Sequence, residues 1–201
     1  GIERGQRDTW TPNPDALAAA EQQLKAKNDG KSSDALTSEQ QATFVYRPET
    51  RDPRGYILSI DQPDFPTFVK FMHALQLGGV EVMQATRDFQ VAGKRYRKGS
   101  YIVRADQAFR AHVLDMFEPQ HHPHDFEYAG GPPIAPYDSA GWTLAMQMGV
   151  EFDRVLDAFT GPFAAVDVAN LQAPPAYALP ATRWGYRLDA RSNDSVLVVN
   201  R

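Results

Sequence analysis

The sequence predicts an α/β fold: a layered, mostly parallel sheet flanked by helices, with a small β-hairpin inserted. Three observations lead there. Two apolar runs share nearly the same ending, Tyr56-Ile57-Leu58-Ser59-Ile60-Asp61-Gln62 and Tyr101-Ile102-Val103-Arg104-Ala105-Asp106-Gln107. Each is followed by an amphipathic helical pattern, so strand, turn and helix occur twice. Both runs are rich in β-branched and aromatic residues with little charge on either face, which suits strands covered on both sides and hence a parallel sheet between helices. Ligands of such sheets gather beyond the carboxyl ends of the strands, so Asp61, Gln62, Asp106 and Gln107 are candidate binding residues. The two aspartates also have a structural use, because Asp just before a helix accepts hydrogen bonds from its unpaired N–H groups.

The chain divides into a helical lead-in over residues 1–52, packing on the sheet or on a neighbouring domain, and an α/β body over residues 53–201. Asn13 and Pro14 are a helix start, cap and first position respectively. The helix from Asp15 to Lys27 has a thin apolar face of Leu17, Ala20 and Leu24, and it stops at Asn28-Asp29-Gly30. Thr37-Ser38-Glu39-Gln40 can cap a second short helix. After the first strand, Pro63-Asp64-Phe65-Pro66 opens a helix in which Phe68, Phe71, Met72, Leu75 and Leu77 recur at helical spacing. Val80-Glu81-Val82 reads as the second strand, joined to the first by a right-handed crossover into a parallel pair. Phe89-Gln90-Val91 and Arg95-Tyr96 flank a turn at Ala92-Gly93-Lys94, a hairpin projecting from the body. A helix with Phe109, Val113, Leu114, Met116 and Phe117 follows the second repeated run. Residues 120–136 form a long irregular connection, of the kind used for binding or domain contacts. Tyr137-Asp138-Ser139 starts the next helix, while Glu151 to Phe159 fits a helix or strand edges equally. Ala165 to Val168 and Trp184 to Leu188 read as strands, and Val196 to Arg201 as a strand or the first turns of a helix.

Composition excludes several functions. The net charge of −4 over 201 residues, with acids and bases interspersed, provides no basic stripe for nucleic acid. The chain has no cysteine, which removes disulfides, thiolate nucleophiles and cysteine zinc sites. No apolar run approaches the roughly 20 residues that span a bilayer. Gly1-Ile2-Glu3 is not a natural-looking start, which leaves room for an address that was cut away, and nothing follows Val196 to Arg201 to form a cap, so the chain reads as a piece of something longer.

The strongest local chemical pattern is His121-His122-Pro123-His124-Asp125-Phe126-Glu127. The His124-x-x-Glu127 spacing imitates the zinc ligands of metallocarboxypeptidases, but the third ligand is missing: His73 and His112 lie upstream in helical patterns, and no histidine lies downstream. His121, His122, His124 and Glu127 are therefore weak metal candidates, set against an exposed polar loop. Ser59, Ser100 and Ser139 lack the Gly-x-Ser-x-Gly elbow of a hydrolase nucleophile. Class I amidotransferases have a comparable layered sheet but use a cysteine. Trp142 beside Gly141, with Tyr128 and Tyr137 nearby, makes an aromatic platform for a sugar or peptide, or else packs in a core or interface. No residue is assigned a catalytic role.

The succession Gly55-Tyr56-Ile57-Leu58, Asp61-Gln62-Pro63-Asp64-Phe65-Pro66, Gly99-Ser100-Tyr101-Ile102-Val103, Asp106-Gln107-Ala108-Phe109-Arg110, then Pro136-Tyr137-Asp138 with Gly141-Trp142-Thr143-Leu144, resembles the region following the catalytic domain in large bacterial zinc carboxypeptidase-like proteins. It runs from about Arg4 to the end. The resemblance implies a secreted or periplasmic parent that removes C-terminal residues with a zinc-activated water and a glutamate general base. None of those catalytic positions maps onto this sequence. It therefore implies a non-catalytic accessory domain with flavodoxin- or amidotransferase-like layering, without a cofactor of its own, whose partner is the adjacent peptidase domain. Assembly with itself is compatible with the sequence. Two other readings stay open: a small-ligand or glycan-binding module using Asp61, Gln62, Asp106, Gln107, Tyr137, Asp138 and Trp142, and a hydrolase, either a degenerate amidotransferase-like one or one relying on the histidine loop.

Overall fold

Both repeated runs become strands, and they are nearest neighbours. The computed structural model describes residues 1–11, 13–27, 42–43, 45–120, 125–135, 142–173 and 180–200. In chain order the elements are α1 (Ile2–Gly5), α2 (Pro14–Lys27), a 3-10 turn (Pro48–Thr50), β1 (Gly55–Leu58), α3 (Phe65–Leu77), β2 (Met83–Ala85), β3 (Phe89–Val91), β4 (Lys94–Tyr96), β5 (Tyr101–Arg104), α4 (Arg110–Phe117), α5 (Leu144–Gln147), β6 (Asp153–Val155), β7 (Phe163–Ala165), a second 3-10 turn (Val168–Asn170) and α6 (Asp194–Val199).

The sheet corrects the expected fold class. Its order is β6-β1-β5-β2-β7, and every neighbouring pair runs antiparallel. The mostly parallel, flavodoxin-like sheet does not form. β1 and β2 do point the same way across helix α3, but β5 inserts between them and pairs with both. Taking β1, α3, β2, β5, α4 and β6 in turn yields βαββαβ with the spatial order fourth, first, third, second, which is the ferredoxin-like split βαβ arrangement. β7 adds a fifth strand beside β2.

The burial that pointed to a parallel sheet has another cause. Successive side chains of a strand face opposite sides, and in β1 and β5 both sides are covered. Tyr56, Leu58, Tyr101 and Val103 face the helices, packing with Phe68, Phe71, Met72 and Leu75 of α3 and Val113, Met116 and Phe117 of α4. Ile57 and Ile102 face the other way and pack with Val91 and Tyr96 of the β3–β4 hairpin, with Ala85 and with Val155. The hairpin thus lies over the second face instead of projecting from it.

Local signals hold well in places. Asn13 caps α2, its Oδ1 accepting from the N–H of Ala16 at 2.8 Å, and Pro14 is the first helical residue. Asp64 caps α3, accepting from Thr67 N–H at 3.1 Å. Of the expected apolar face of α3, only Leu77 fails, 90% exposed at the helix end. The second strand begins three residues later than expected, at Met83, while Val80 and Val82 enter the core as irregular chain. The strand expected over 165–168 sits earlier, at Phe163–Ala165, and Trp184 to Leu188 is not a strand. The Thr37–Gln40 cap lies outside the described residues.

The hairpin turn carries a testable cost. Val91 pairs with Lys94 around Ala92 and Gly93, whose φ angles are 49° and 79°. Two positive φ values are what a tight two-residue turn requires to match strand twist, and Ala resists them. Ala92→Asn is expected to stabilise the fold by about 1 kcal/mol, read as a raised urea midpoint.

Candidate functional site

Antiparallel pairing separates the two Asp-Gln pairs. Leu58, the end of β1, lies opposite Tyr101, the start of β5, so Asp61 and Gln62 leave one end of the sheet and Asp106 and Gln107 the other. A parallel sheet would have brought all four together. Neither aspartate caps a helix: Asp64 does so for α3, and α4 begins without a side-chain cap. Asp61 instead receives two hydrogen bonds from Arg97 Nη1 at 2.8 and 2.9 Å at the surface. Asp106 is held by Arg104 through two bonds of 2.8 and 2.7 Å.

The glutamines explain why the phrase repeats. Gln107 Oε1 accepts from Glu81 N–H at 2.8 Å, and its Nε2 donates to Glu81 C=O at 3.2 Å and to Arg104 C=O at 2.7 Å. Gln62 does the same one strand away: Oε1 accepts from Glu151 N–H at 3.0 Å, while Nε2 donates to Glu151 C=O at 2.8 Å and Ser59 C=O at 3.0 Å. A primary amide carries one acceptor and two donors, so it can stand in for a peptide unit. Each glutamine continues the ladder at the point where its own backbone turns away, pinning the chain that leads into the neighbouring strand, β2 or β6. Gln107→Leu would leave Glu81 N–H and C=O without this partner in a part-buried place and is expected to cost about 2 kcal/mol, with Gln62→Leu, more exposed, costing about half of that by urea denaturation.

A cavity of about 600 Å³ opens beside Asp106, between Arg104, Gln107, Glu81, Met83 and Val166. Two of its charged groups, Arg104 and Asp106, are committed to each other, and the Gln107 amide is spent on backbone. Tyr137 and Asp138 lie outside the described residues, as do His121, His122 and His124; Trp142 is half-buried and Glu127 exposed. Among the described residues no three His, Asp or Glu side chains converge as metal ligands, and no helix is long and apolar enough to cross a membrane.

The most buried polar cluster was missed by sequence reasoning. Asp52 and Arg110 are only 8% and 5% exposed. Asp52 Oδ2 accepts from Arg110 Nη2 at 2.8 Å and from the hydroxyls of Thr9 and Thr11 at 3.0 Å each, and Oδ1 accepts from Thr11 N–H at 2.8 Å. Arg110 Nη2 also donates to Thr9 Oγ1 at 2.9 Å. Burial pushes the Asp52 carboxyl up, but the bonds from Arg110, Thr9 and Thr11, with the Arg110 charge, outweigh it and hold the pKa below the ordinary value. Such a carboxylate stays ionised near neutrality and is no general acid. The cluster ties residues 9–11 to the start of the body. A signal existed: Arg110, Val113 and Phe117 share one helix face, and a cation on a buried face needs an acidic partner.

The last described segment is apolar and uncovered. Trp184 is 89% exposed, and Val196, Leu197, Val198 and Val199 are 58–73% exposed on a helix that buries none of its residues. Polar contacts hold the start of that helix: Asn193 N–H donates to Asp64 Oδ2 at 2.7 Å and Asn193 Nδ2 to Thr67 Oγ1 at 3.2 Å, and Lys70 pairs with Asp194 at 3.4 Å. A helix apolar on all sides is ordinarily buried. Compared with protein families, curated proteins and solved structures, the chain shows no match.

Proposed function

We propose that this chain is a non-catalytic interaction module, an accessory domain that docks on a zinc carboxypeptidase-like catalytic domain of a secreted or periplasmic bacterial protein. One observation carries the docking role: Val196 to Val199 of α6 and the Trp184 ring are exposed, while hydrogen bonds from Asn193 to Asp64 and Thr67 hold the start of the helix. Exposed apolar groups held in a defined position suit a partner surface. The choice of partner rests on the ordered phrases from Gly55 to Leu144 described above. The polar groups at the strand ends support this reading over ligand binding, because Gln62, Gln107, Asp61 and Asp106 are each engaged within the fold.

The test is hydrogen exchange on this chain alone and mixed with the catalytic domain encoded in the same reading frame. Protection of the Val196 to Val199 amides on mixing is expected. Exchange unchanged by the partner, or zinc-dependent release of C-terminal residues by this chain alone, overturns the reading.

A further inference from the structure

A different surface has its own chemistry. β6 is the last strand on its side of the sheet. Gln62 holds the N–H and C=O of Glu151 toward β1, and backbone groups alternate in direction along a strand, so Phe152 and Arg154 turn theirs outward. Among the described residues no backbone group pairs with them.

A groove of about 620 Å³ follows this edge. Its walls include Lys94 and Asp153 from the hairpin side of the sheet, and Phe117, Glu118 and Arg154 from the helix side. Consecutive strand residues point to opposite faces, so a single cavity touching both faces lies along the open edge itself. Four of the five charges there are matched, Lys94 Nζ to Asp153 at 2.7 and 2.8 Å and Arg154 Nε to Glu118 at 2.9 and 3.1 Å, and the fifth is the Glu151 carboxylate. No net positive charge remains to draw in a phosphate or another polyanion. What remains is the outward backbone of β6 and an apolar floor in which Met146 is 52% exposed, set beside Val150 and Phe152, which also pack against the core.

We propose that the open edge of β6 accepts an extended, uncharged polypeptide segment from another protein as an added strand, with one of its apolar side chains seated on the Met146–Val150–Phe152 floor. Main-chain hydrogen bonds would provide the attachment and the floor the selection, as in other strand-addition sites. A second copy of this chain is a poor occupant. The two-fold registers that join the outward groups place Asp153 opposite Asp153, Asp153 opposite Glu151, or Arg154 opposite Arg154, and facing like charges destabilise a strand pair. The inference stands on the sheet and the groove alone, independently of what covers α6.

The probe is a blocked heptapeptide of alternating leucine and threonine ending in lysine, titrated into the isotope-labelled chain and followed by NMR. Saturable shifts are expected at the amides of Phe152 and Arg154 and not at β7. N-methylating the peptide amides of one parity is expected to weaken binding by at least about tenfold, and those of the other parity by less than about twofold. Met146→Asp, at a half-exposed position, is expected to lose at least about tenfold while the circular dichroism of the fold is retained. Equal effects of the two N-methyl patterns, shifts at another edge, no saturable shift at about 1 mM peptide, or a β6-mediated dimer in sedimentation each overturn the proposal.

Discussion

Replacing Asp52 with alanine is expected to cost about 3–5 kcal/mol of folding stability, because it leaves the Arg110 guanidinium buried without its counter-charge. For a chain of this length, that lowers the melting temperature by on the order of 10 °C. The partner experiment separates the pair from its geometry. Asp52→Leu with Arg110→Met removes both charges at once, and it is expected to be clearly more stable than Asp52→Leu alone, since a buried ion pair offsets little more than its own desolvation. Equal losses in the single and double variants would show that the cluster contributes through Thr9 and Thr11 and not through charge.

The same cluster sets an acid limit, and Asp64 adds to it. Burial raises the Asp64 carboxyl, but bonds from Asn193 N–H and from Thr67, with the charge of Lys70, bring it below its ordinary value. Both groups thus have folded pKa values under the unfolded one of about 3.9. The stability they add is fully present above about pH 4 and is lost as pH falls through the folded values, where protonation breaks the bonds. Asp52 anchors residues 9–11 and Asp64 anchors Asn193 before α6. Urea midpoints measured between about pH 5 and 2 are expected to fall with acid, and the fall is expected to shrink in an Asp52→Asn variant, whose amide does not titrate.

Phe117→Ala is expected to lose about 3–5 kcal/mol, the usual loss for a fully buried aromatic ring. Phe117 stacks on Tyr56 of β1 at 4.1 Å between ring centres and meets Phe71 of α3 edge-on at 5.4 Å and Phe152 at 5.1 Å. The ring therefore joins α3 and α4 to the first strand. A double-mutant cycle of Phe71→Ala and Phe117→Ala by chemical denaturation tests the layering directly. Coupling of about 0.5–1.5 kcal/mol is expected if α3 and α4 lie side by side on one face. Additive losses would place the helices apart.

Reading the sequence worked where the relevant physics is local. Tyr56 to Leu58 and Tyr101 to Val103 are strands because β-branched and aromatic runs suit a pleated surface. Asn13 and Pro14 start α2 because an amide acceptor followed by a residue lacking N–H fits a helix N-terminus. Ala92-Gly93 turns the hairpin where expected. Strand direction was not local. Burial on both faces fits helices on both faces equally well, but β3 and β4 cover the second one through Val91 and Tyr96. The reversed direction of β5 then sent the two Asp-Gln pairs to opposite ends and made their glutamines ladder extensions instead of a joint site. The partnership of Asp52 with Arg110, 58 residues along the chain, was likewise decided only by packing.

By itself, then, the order of residues determined which segments are strands, helices and turns, since those preferences arise from neighbours a few positions apart. Tertiary packing alone decided which strands lie side by side, in what direction, and which polar groups meet, because those outcomes depend on how distant apolar faces are covered.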